Sequence, residues 1–214
     1  MKIAAGDLRI VTKALEKHGI LLQTDAALPN VVSLLAAEQI RGSWWTHPLA
    51  QKIFAGLNKL QDDEDILFTK LISGKITLVH RRLWRDFLSI ATARQAWQKR
   101  GLSPAARFLL RAVDQKQIVR TNEIEWPKRL QPAKIGVAAG ELETRLLIHA
   151  EEFHTKSGMH AKLLEAWSSW SEHVSFTDEL HSAVLAKRVF EKLLVRLNKE
   201  HDGKGRLPWI SSGT

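Results

Sequence analysis

The chain has no cysteine and no tyrosine among its 214 residues. The absence of cysteine excludes a disulfide framework, a thiolate metal site and a cysteine nucleophile. No apolar run approaches the length of a membrane span, so we expect no membrane partner. Lys2 is not followed by the apolar segment of a secretory signal. We therefore predict a cytoplasmic protein.

Several sequence motifs that would identify a reaction are also missing. There is no Walker loop, no Gly-x-Gly-x-x-Gly after a strand, no Gly-x-Ser-x-Gly elbow and no His-Glu-x-x-His. Gly203-Lys204-Gly205 lacks the following helix that a phosphate-binding loop needs. We predict that no cofactor is bound, and the sequence does not show whether the protein is an enzyme.

Positive charge is present in excess, and it is concentrated in the middle of the chain. Residues 66–134 contain 15 Lys/Arg against 4 Asp/Glu, whereas residues 1–65 contain 7 against 8 and residues 135–214 contain 10 against 11. The formal net charge of +9 therefore comes from the middle third. A segregated basic region of this kind is typical of phosphate binding, although it also occurs as an ordinary solvated face.

Hydrophobic periodicity predicts an α+β protein that is mostly α. Two β-rich runs, 66–72 and 75–80, are joined by Ser73-Gly74 and predict a hairpin. Ser103 and Pro104 form the start signal of a further helix. The predicted helices cover 7–18, 30–40, 48–60, 84–97, 105–113, 141–154, 159–173 and a last one from about Ser175, with extended pieces at 19–24 and 117–121.

Breaks in the pattern divide the chain into regions. Prolines and glycines between Trp126 and Gly140 predict a linker or domain boundary. We predict a basic winged-helix-like region over 1–126, a helical region over 140–200 that packs on it or forms a homodimer, and a flexible tail over 201–214.

The order of elements over residues 46–121 resembles that of winged-helix DNA-binding proteins. Arg107 and Arg111 are four residues apart on one predicted helix and share an outward face. The resemblance implies that this helix enters the major groove and that basic residues of the short hairpin and the run after it contact the DNA backbone. Those residues are Lys70, Lys75, Arg81, Arg82 and Arg85.

The eight tryptophans are a second candidate for nucleic-acid contact. Trp44 and Trp45 follow Arg41, and Trp84 and Trp97 lie in the basic third. Exposed aromatic rings among arginines can stack on unpaired or flipped bases. The alternative is that one of two adjacent rings lies in the core and the other at its edge. For Trp167 and Trp170, at helical spacing, we predict core positions.

A group of histidines and carboxylates lies in the predicted C-terminal helices, at His149, Glu151, Glu152, His154, His160 and Glu165. Glu151-x-x-His154 has the spacing found twice in di-iron carboxylate bundles, but a second copy is missing. We therefore predict no metal, and we keep a metal site or a general acid–base pair in this group as alternatives. The Asp62–Asp65 run is interpreted as an exposed turn.

Binding of duplex DNA is the function that the sequence favours. One alternative is a DNA-repair enzyme of base-excision type, since the elements also resemble some bacterial DNA-repair glycosylases. In such an enzyme Trp44 or Trp45 would fill a vacated stack, and Glu151 or Asp86 would activate water. The other alternative is a protein-interaction module that uses the C-terminal helices.

Overall fold

The computed structural model describes residues 5–40, 42–130, 135–155, 158 and 160–210. Helices make up 52% of them and strands 16%, which confirms an α+β fold that is mostly α. The helices are α1 Ala5–His18, α2 Val31–Ala36, α3 Ala50–Gln61, α4 Trp84–Ala91, α5 Ala96–Lys99, α6 Pro104–Lys116, α7 Ile135–Thr144, α8 Trp167–His173 and α9 Ala183–His201. The strands are β1 Ile20–Leu22, β2 Ile66–Ile72, β3 Lys75–His80, β4 Ile118–Arg120, β5 His149–His154 and β6 His160–Glu165.

The first of two compact units combines residues 1–86 with residues 184–214. Its antiparallel sheet has the order β1-β3-β2. The predicted hairpin is confirmed at the predicted residues, and Ser73 and Gly74 have φ angles of 53° and 69°. Two consecutive positive φ angles match the right-handed twist of the flanking strands, which is why a two-residue turn suffices. Apolar side chains of α1, α2, α3 and the sheet form the core of this unit.

The second unit comprises Phe87–Ala183. Its helix α6 begins where the sequence predicts, because the Ser103 side chain accepts a hydrogen bond from the amide of Ala106 and Pro104 occupies the first turn. Its antiparallel sheet has the order β4-β6-β5. Leu109, Leu142 and Leu164, from α6, α7 and β6, are buried in one hydrophobic core.

The prediction of continuous helices over 141–154 and 159–173 is wrong. Helix α7 ends at Thr144, and β5 and β6 form an antiparallel pair in which Ala150 lies opposite Leu164. Strand β6 also pairs with the distant β4, where Val119 lies opposite Leu164. The strand conformation thus depends on backbone pairing across many residues, which overrides the weak helical preference of the sequence.

The last helix starts later than predicted. It begins at Ala183, and Ser175 has a positive φ of 52°, a conformation that does not continue a helix.

The structure shows fixed contacts in the stretch that we predict as a flexible tail. Asn198 hydrogen-bonds both backbone groups of Gly205, and the amide of Ser73 donates to the carbonyl of Arg206 at 2.8 Å. Residues 211–214 lie outside the described residues.

The predicted boundary between residues 126 and 140 stays a prediction. The second unit contains residues from both sides of it, and they contribute to one core. The winged-helix-like stretch 46–121 is divided between the units, with the hairpin in the first and α6 in the second.

A membrane span needs a long apolar helix, and no such helix occurs among the residues that the structure describes.

Candidate nucleic-acid interface

Three basic residues from three parts of the first unit lie at the end of α1. We call Lys17, Arg82 and Arg196 the basic cluster. Helix α1 ends at His18 because Gly19 takes a φ of 84°. The carbonyl groups at a helix end lack partners within the helix. Here Arg82 donates from Nη2 to the carbonyl of Lys17 at 3.5 Å, and Arg196 donates from Nη2 to that of His18 at 3.4 Å.

These bonds hold both guanidinium groups at the surface without using all their donors. All three side chains of the basic cluster are exposed. A guanidinium has five N–H donors, so several in each arginine remain for an external acceptor such as a phosphate. One carboxylate is nearby, because Nε of Arg196 lies 4.0 Å from Oε1 of Glu200.

Positive charges lie close to the imidazole of His18. Burial lowers the pKa of the His18 imidazole, and the charges of Lys17, His201 and Arg196 lower it further, while Glu200 opposes them. A neutral imidazole is favoured where positive charge is already dense. The end of α1 is therefore a positive region even though one of its basic residues, Lys17, lies in a sequence segment with slightly negative net charge.

The hairpin lysines are less available than the sequence suggests. Lys75 is exposed, but its Nζ lies 2.8 Å from Oδ2 of Asp25. Burial raises the pKa of Asp25, but the hydrogen bonds from Lys75 and from the amides of Ala27 and Leu28 outweigh that effect and lower it. The charge of Lys75 is therefore largely engaged within the unit. Lys70 is half-buried on β2.

The basic run after the hairpin contributes unequally. Arg81 is half-buried, lies over the Trp84 ring at 5.1 Å and is 4.0 Å from Asp65. Arg82 belongs to the basic cluster, and Arg85 is exposed on α4. Trp84 itself is buried and donates from its indole to the carbonyl of Val79, so it cannot stack on a base.

Helix α6 presents both predicted recognition residues on its exposed side. Arg107 and Arg111 are exposed, as their four-residue spacing predicts, and Arg107 also donates to the carbonyl of Leu102. Arg111 lines an open groove of about 590 Å³ together with Lys116, Glu123 and Glu125. The two carboxylates offset the two cations, so this groove has no net preference for phosphate.

Trp44 lies in the core and Trp45 at its edge, as in the alternative interpretation of the two adjacent rings. Trp44 is 6% exposed, whereas Trp45 is 61% exposed. Their rings stack at a centroid distance of 3.9 Å, and the exposed Phe54 lies 5.7 Å from Trp45. Trp45 is thus an exposed aromatic surface supported from beneath, while Arg41 lies outside the described residues. Trp97 is half-buried and bonded to Gln95, and Trp167 and Trp170 are in the core as predicted.

The histidine–carboxylate group has a different geometry from the helical one that the sequence suggested. Residues His149–His154 form strand β5, whereas the Glu-x-x-His spacing brings its two side chains to one face only on a helix. The Glu-x-x-His argument for a metal therefore fails. The structure instead brings His149 and His173 to Glu165, at nitrogen–oxygen distances of 3.8 and 3.9 Å.

Glu165 is the centre of this group and is only 3% exposed. Burial raises the pKa of its carboxyl, but the interaction with His149, the hydrogen bond from Ser169 and the charges of both histidines outweigh burial and lower it. Ser169 donates to Oε1 at 2.8 Å. A buried carboxylate with these partners is well satisfied, which fits a structural role in the second unit.

Lys17 and Arg196 are candidate interface residues that sequence reasoning missed. They lie in segments that are close to neutral overall, so a count along the chain does not reveal them. The first unit contains 19 Lys/Arg against 12 Asp/Glu and the second contains 13 against 11. The fold thus places most of the excess positive charge in the first unit, which has a net charge of +7, whereas the second unit has a net charge of +2.

Comparison of the chain with protein-family models, with curated proteins and with solved structures found no match in any of the three.

Proposed function

We propose that the protein binds nucleic acid, with duplex DNA as the favoured ligand, through the exposed basic surface of its first unit. The observation that carries the proposal is the meeting of Lys17, Arg82 and Arg196 at the end of α1 in a unit of net charge +7. Arginine and lysine contacts to phosphate provide affinity that does not depend on sequence. Arg85 is a further exposed basic residue of the same unit.

The test is fluorescence anisotropy of a labelled duplex and a labelled single strand, each titrated with the full chain over a range of salt. Binding should weaken steeply as salt rises, because every neutralised phosphate releases counterions. Replacing Lys17 with Gln should reduce the slope of log K against log salt by about 1. Lys59→Gln is the matched control, since Lys59 is exposed on α3 of the same unit and outside the basic cluster. Equal slopes for the two variants, or no binding at low salt, would contradict the proposal.

A second candidate, stacking of unpaired bases, is favoured by one observation. The exposed Trp45 ring is held by its stack on Trp44, so little side-chain freedom is lost when a base is added. Stacking on an aromatic side chain contributes about 1–3 kcal/mol per base. Trp45→Ala should weaken single-strand binding by that amount and leave duplex binding unchanged. An equal effect on both ligands would argue against stacking. The glycosylase hypothesis, with Glu151 or Asp86 as its acid, stays a prediction: Glu151 is an exposed residue of strand β5, and Asp86 is a half-buried residue of α4.

A cytoplasmic location and a homodimer through the C-terminal helices also remain proposals. Four apolar side chains of α9 are exposed and could take part in self-association: Val184, Leu185, Val189 and Val195. Light scattering should then give a dimer mass that falls to the monomer mass in Leu185→Glu. A monomer in the unmodified chain would remove the dimer proposal.

A further inference from the structure

Two histidines and a carboxylate meet beside the basic cluster, where α1 and α9 both end. His18 is the last residue of α1 and His201 the last residue of α9. One potential ligand atom from each of His18, Glu200 and His201 lies within 4.8 Å of the other two. The imidazole centroids are 5.8 Å apart, and the ring planes are inclined at 70°.

The ligand atoms come from residues of different exposure. His18 is only 9% exposed, whereas Glu200 is exposed. The site therefore lies at the surface of the first unit, where an ion can enter from solvent.

The charges around the three potential ligands act on a bound cation in opposite directions. The neighbouring Lys17 and Arg196 would repel a cation. That repulsion is opposed by the Glu200 carboxylate and by the negative ends of two helix dipoles, which meet here.

We propose that His18, Glu200 and His201 bind one divalent transition-metal ion of the zinc type. Two imidazole nitrogens and one carboxylate oxygen suit Zn²⁺, Co²⁺ or Ni²⁺, whereas Mg²⁺ and Ca²⁺ prefer oxygen ligands alone. Three protein ligands leave a fourth position for water or a phosphate oxygen. The site is separate from the histidine–carboxylate group of the second unit, and it does not depend on nucleic-acid binding.

The experiment uses the full chain after treatment with a chelator and titrates it with Co²⁺, followed by visible absorption, with Zn²⁺ as competitor. We expect one equivalent of Co²⁺ to bind and Zn²⁺ to displace it. Glu200→Gln combined with His201→Gln should weaken Co²⁺ binding by more than about tenfold, since even the hydrogen-bond partners of metal ligands contribute 10- to 100-fold. His18→Gln should do the same.

The matched control is His160→Gln, which removes an exposed histidine of β6 in the second unit. It should bind Co²⁺ like the unmodified chain, and circular dichroism should show that all variants fold. Binding unchanged in the Glu200/His201 double variant would overturn the proposal. So would loss of binding in His160→Gln, or no Co²⁺ binding by the unmodified chain.

Discussion

At the scale of single residues, Gly19 shows how one backbone conformation positions the basic cluster. Its φ of 84° ends α1 and directs the chain into β1. A Cβ atom here would lie 2.9 Å from Cδ1 of Leu83 and 3.0 Å from Nη2 of Arg82. Only glycine combines this φ with so little space. The positions of Arg82 and of the helix end are therefore linked through a residue that carries no functional group.

Gly19→Ala should destabilise the protein by roughly 1–2 kcal/mol, the cost of a left-handed conformation in a residue with a Cβ. The displaced Arg82 should also weaken DNA binding. The measurement is urea unfolding, together with anisotropy of the labelled duplex. Gly6→Ala is the control in the same helix, where an added Cβ has no neighbour within 4 Å. Gly6→Ala should leave the free energy of unfolding unchanged or raise it. An equal loss of unfolding free energy in Gly6→Ala and Gly19→Ala would show that backbone strain at Gly19 is not the cause.

Glu165 makes the stability of the second unit depend on pH. The pKa of its carboxyl is lower in the folded protein than in the unfolded chain, because the interaction with His149 and the hydrogen bond from Ser169 outweigh burial. The contribution of Glu165 is therefore complete above the usual glutamate pKa of about 4.3. This contribution is lost as the pH falls below about 4.3 and through the lower pKa of Glu165 in the folded state. The reason is that the Glu165 carboxylate is protonated in the unfolded chain before it is protonated in the folded protein.

Glu165→Gln should lower the free energy of unfolding by about 1–3 kcal/mol at neutral pH, the cost of leaving buried partners unsatisfied. The difference in unfolding free energy between the unmodified chain and Glu165→Gln should shrink as the pH falls below about 4.3, because Glu165 is then increasingly protonated. Urea unfolding at a series of pH values measures both effects. Glu151→Gln, an exposed change on β5, should follow the unmodified chain throughout. A deficit that stays constant with pH would mean that ionisation of Glu165 does not stabilise the fold.

At the scale of elements, the segment after α9 closes the first unit. The amide of Gly203 bonds to the carbonyl of Asn198, and the Asn198 side chain holds Gly205 through its Nδ2 at 3.0 Å and its Oδ1 at 2.9 Å. Leu207 is buried, and the indole of Trp209 donates to Glu191 at 2.8 Å. The segment therefore packs like part of the unit, although its glycines and charges are typical of a mobile tail.

Asn198→Ala should release this segment, because two hydrogen bonds to Gly205 are lost together. We expect a loss of about 1–3 kcal/mol in unfolding free energy and faster tryptic cleavage after Lys204 and Arg206. Limited proteolysis followed by mass spectrometry measures the cleavage. Asn58→Ala, at an exposed position of α3, is the control and should leave the cleavage rate unchanged. Rapid cleavage in the unmodified chain would instead support the flexible tail predicted from the sequence.

At the scale of the whole molecule, the distribution of charge between the units ranks the two candidate DNA-binding surfaces. The first unit has a net charge of +7 and the second +2. The groove beside Arg111 also contains Glu123 and Glu125. Phosphate binding should therefore depend more on the basic cluster than on α6, whereas the resemblance to winged-helix proteins assigns the central role to α6.

Reversing charge in each surface separates these alternatives. Lys17→Glu with Arg196→Glu should weaken duplex binding more than Arg107→Glu with Arg111→Glu, and should reduce the salt slope by about 2 or more. Both double variants change the net charge by the same amount, so each is the control for the other. Anisotropy at several salt concentrations gives the comparison. A larger loss in the α6 variant would restore the winged-helix interpretation.

The sequence by itself determined the elements whose signals are local. The Ser73-Gly74 turn set the hairpin, and Ser103-Pro104 set the start of α6, because a turn or a cap depends on neighbouring residues alone. The exposed side of α6 also followed from the spacing of its two arginines.

Only the tertiary structure decided the rest. Strands β5 and β6 exist through pairing with each other and with the distant β4, so their helix-like sequence pattern was misleading. The basic cluster joins residues from α1, the turn after β3 and α9, and the candidate metal ligands join the ends of two helices far apart in the chain. Such groupings depend on which distant segments pack together, and the periodicity of a single sequence does not record that.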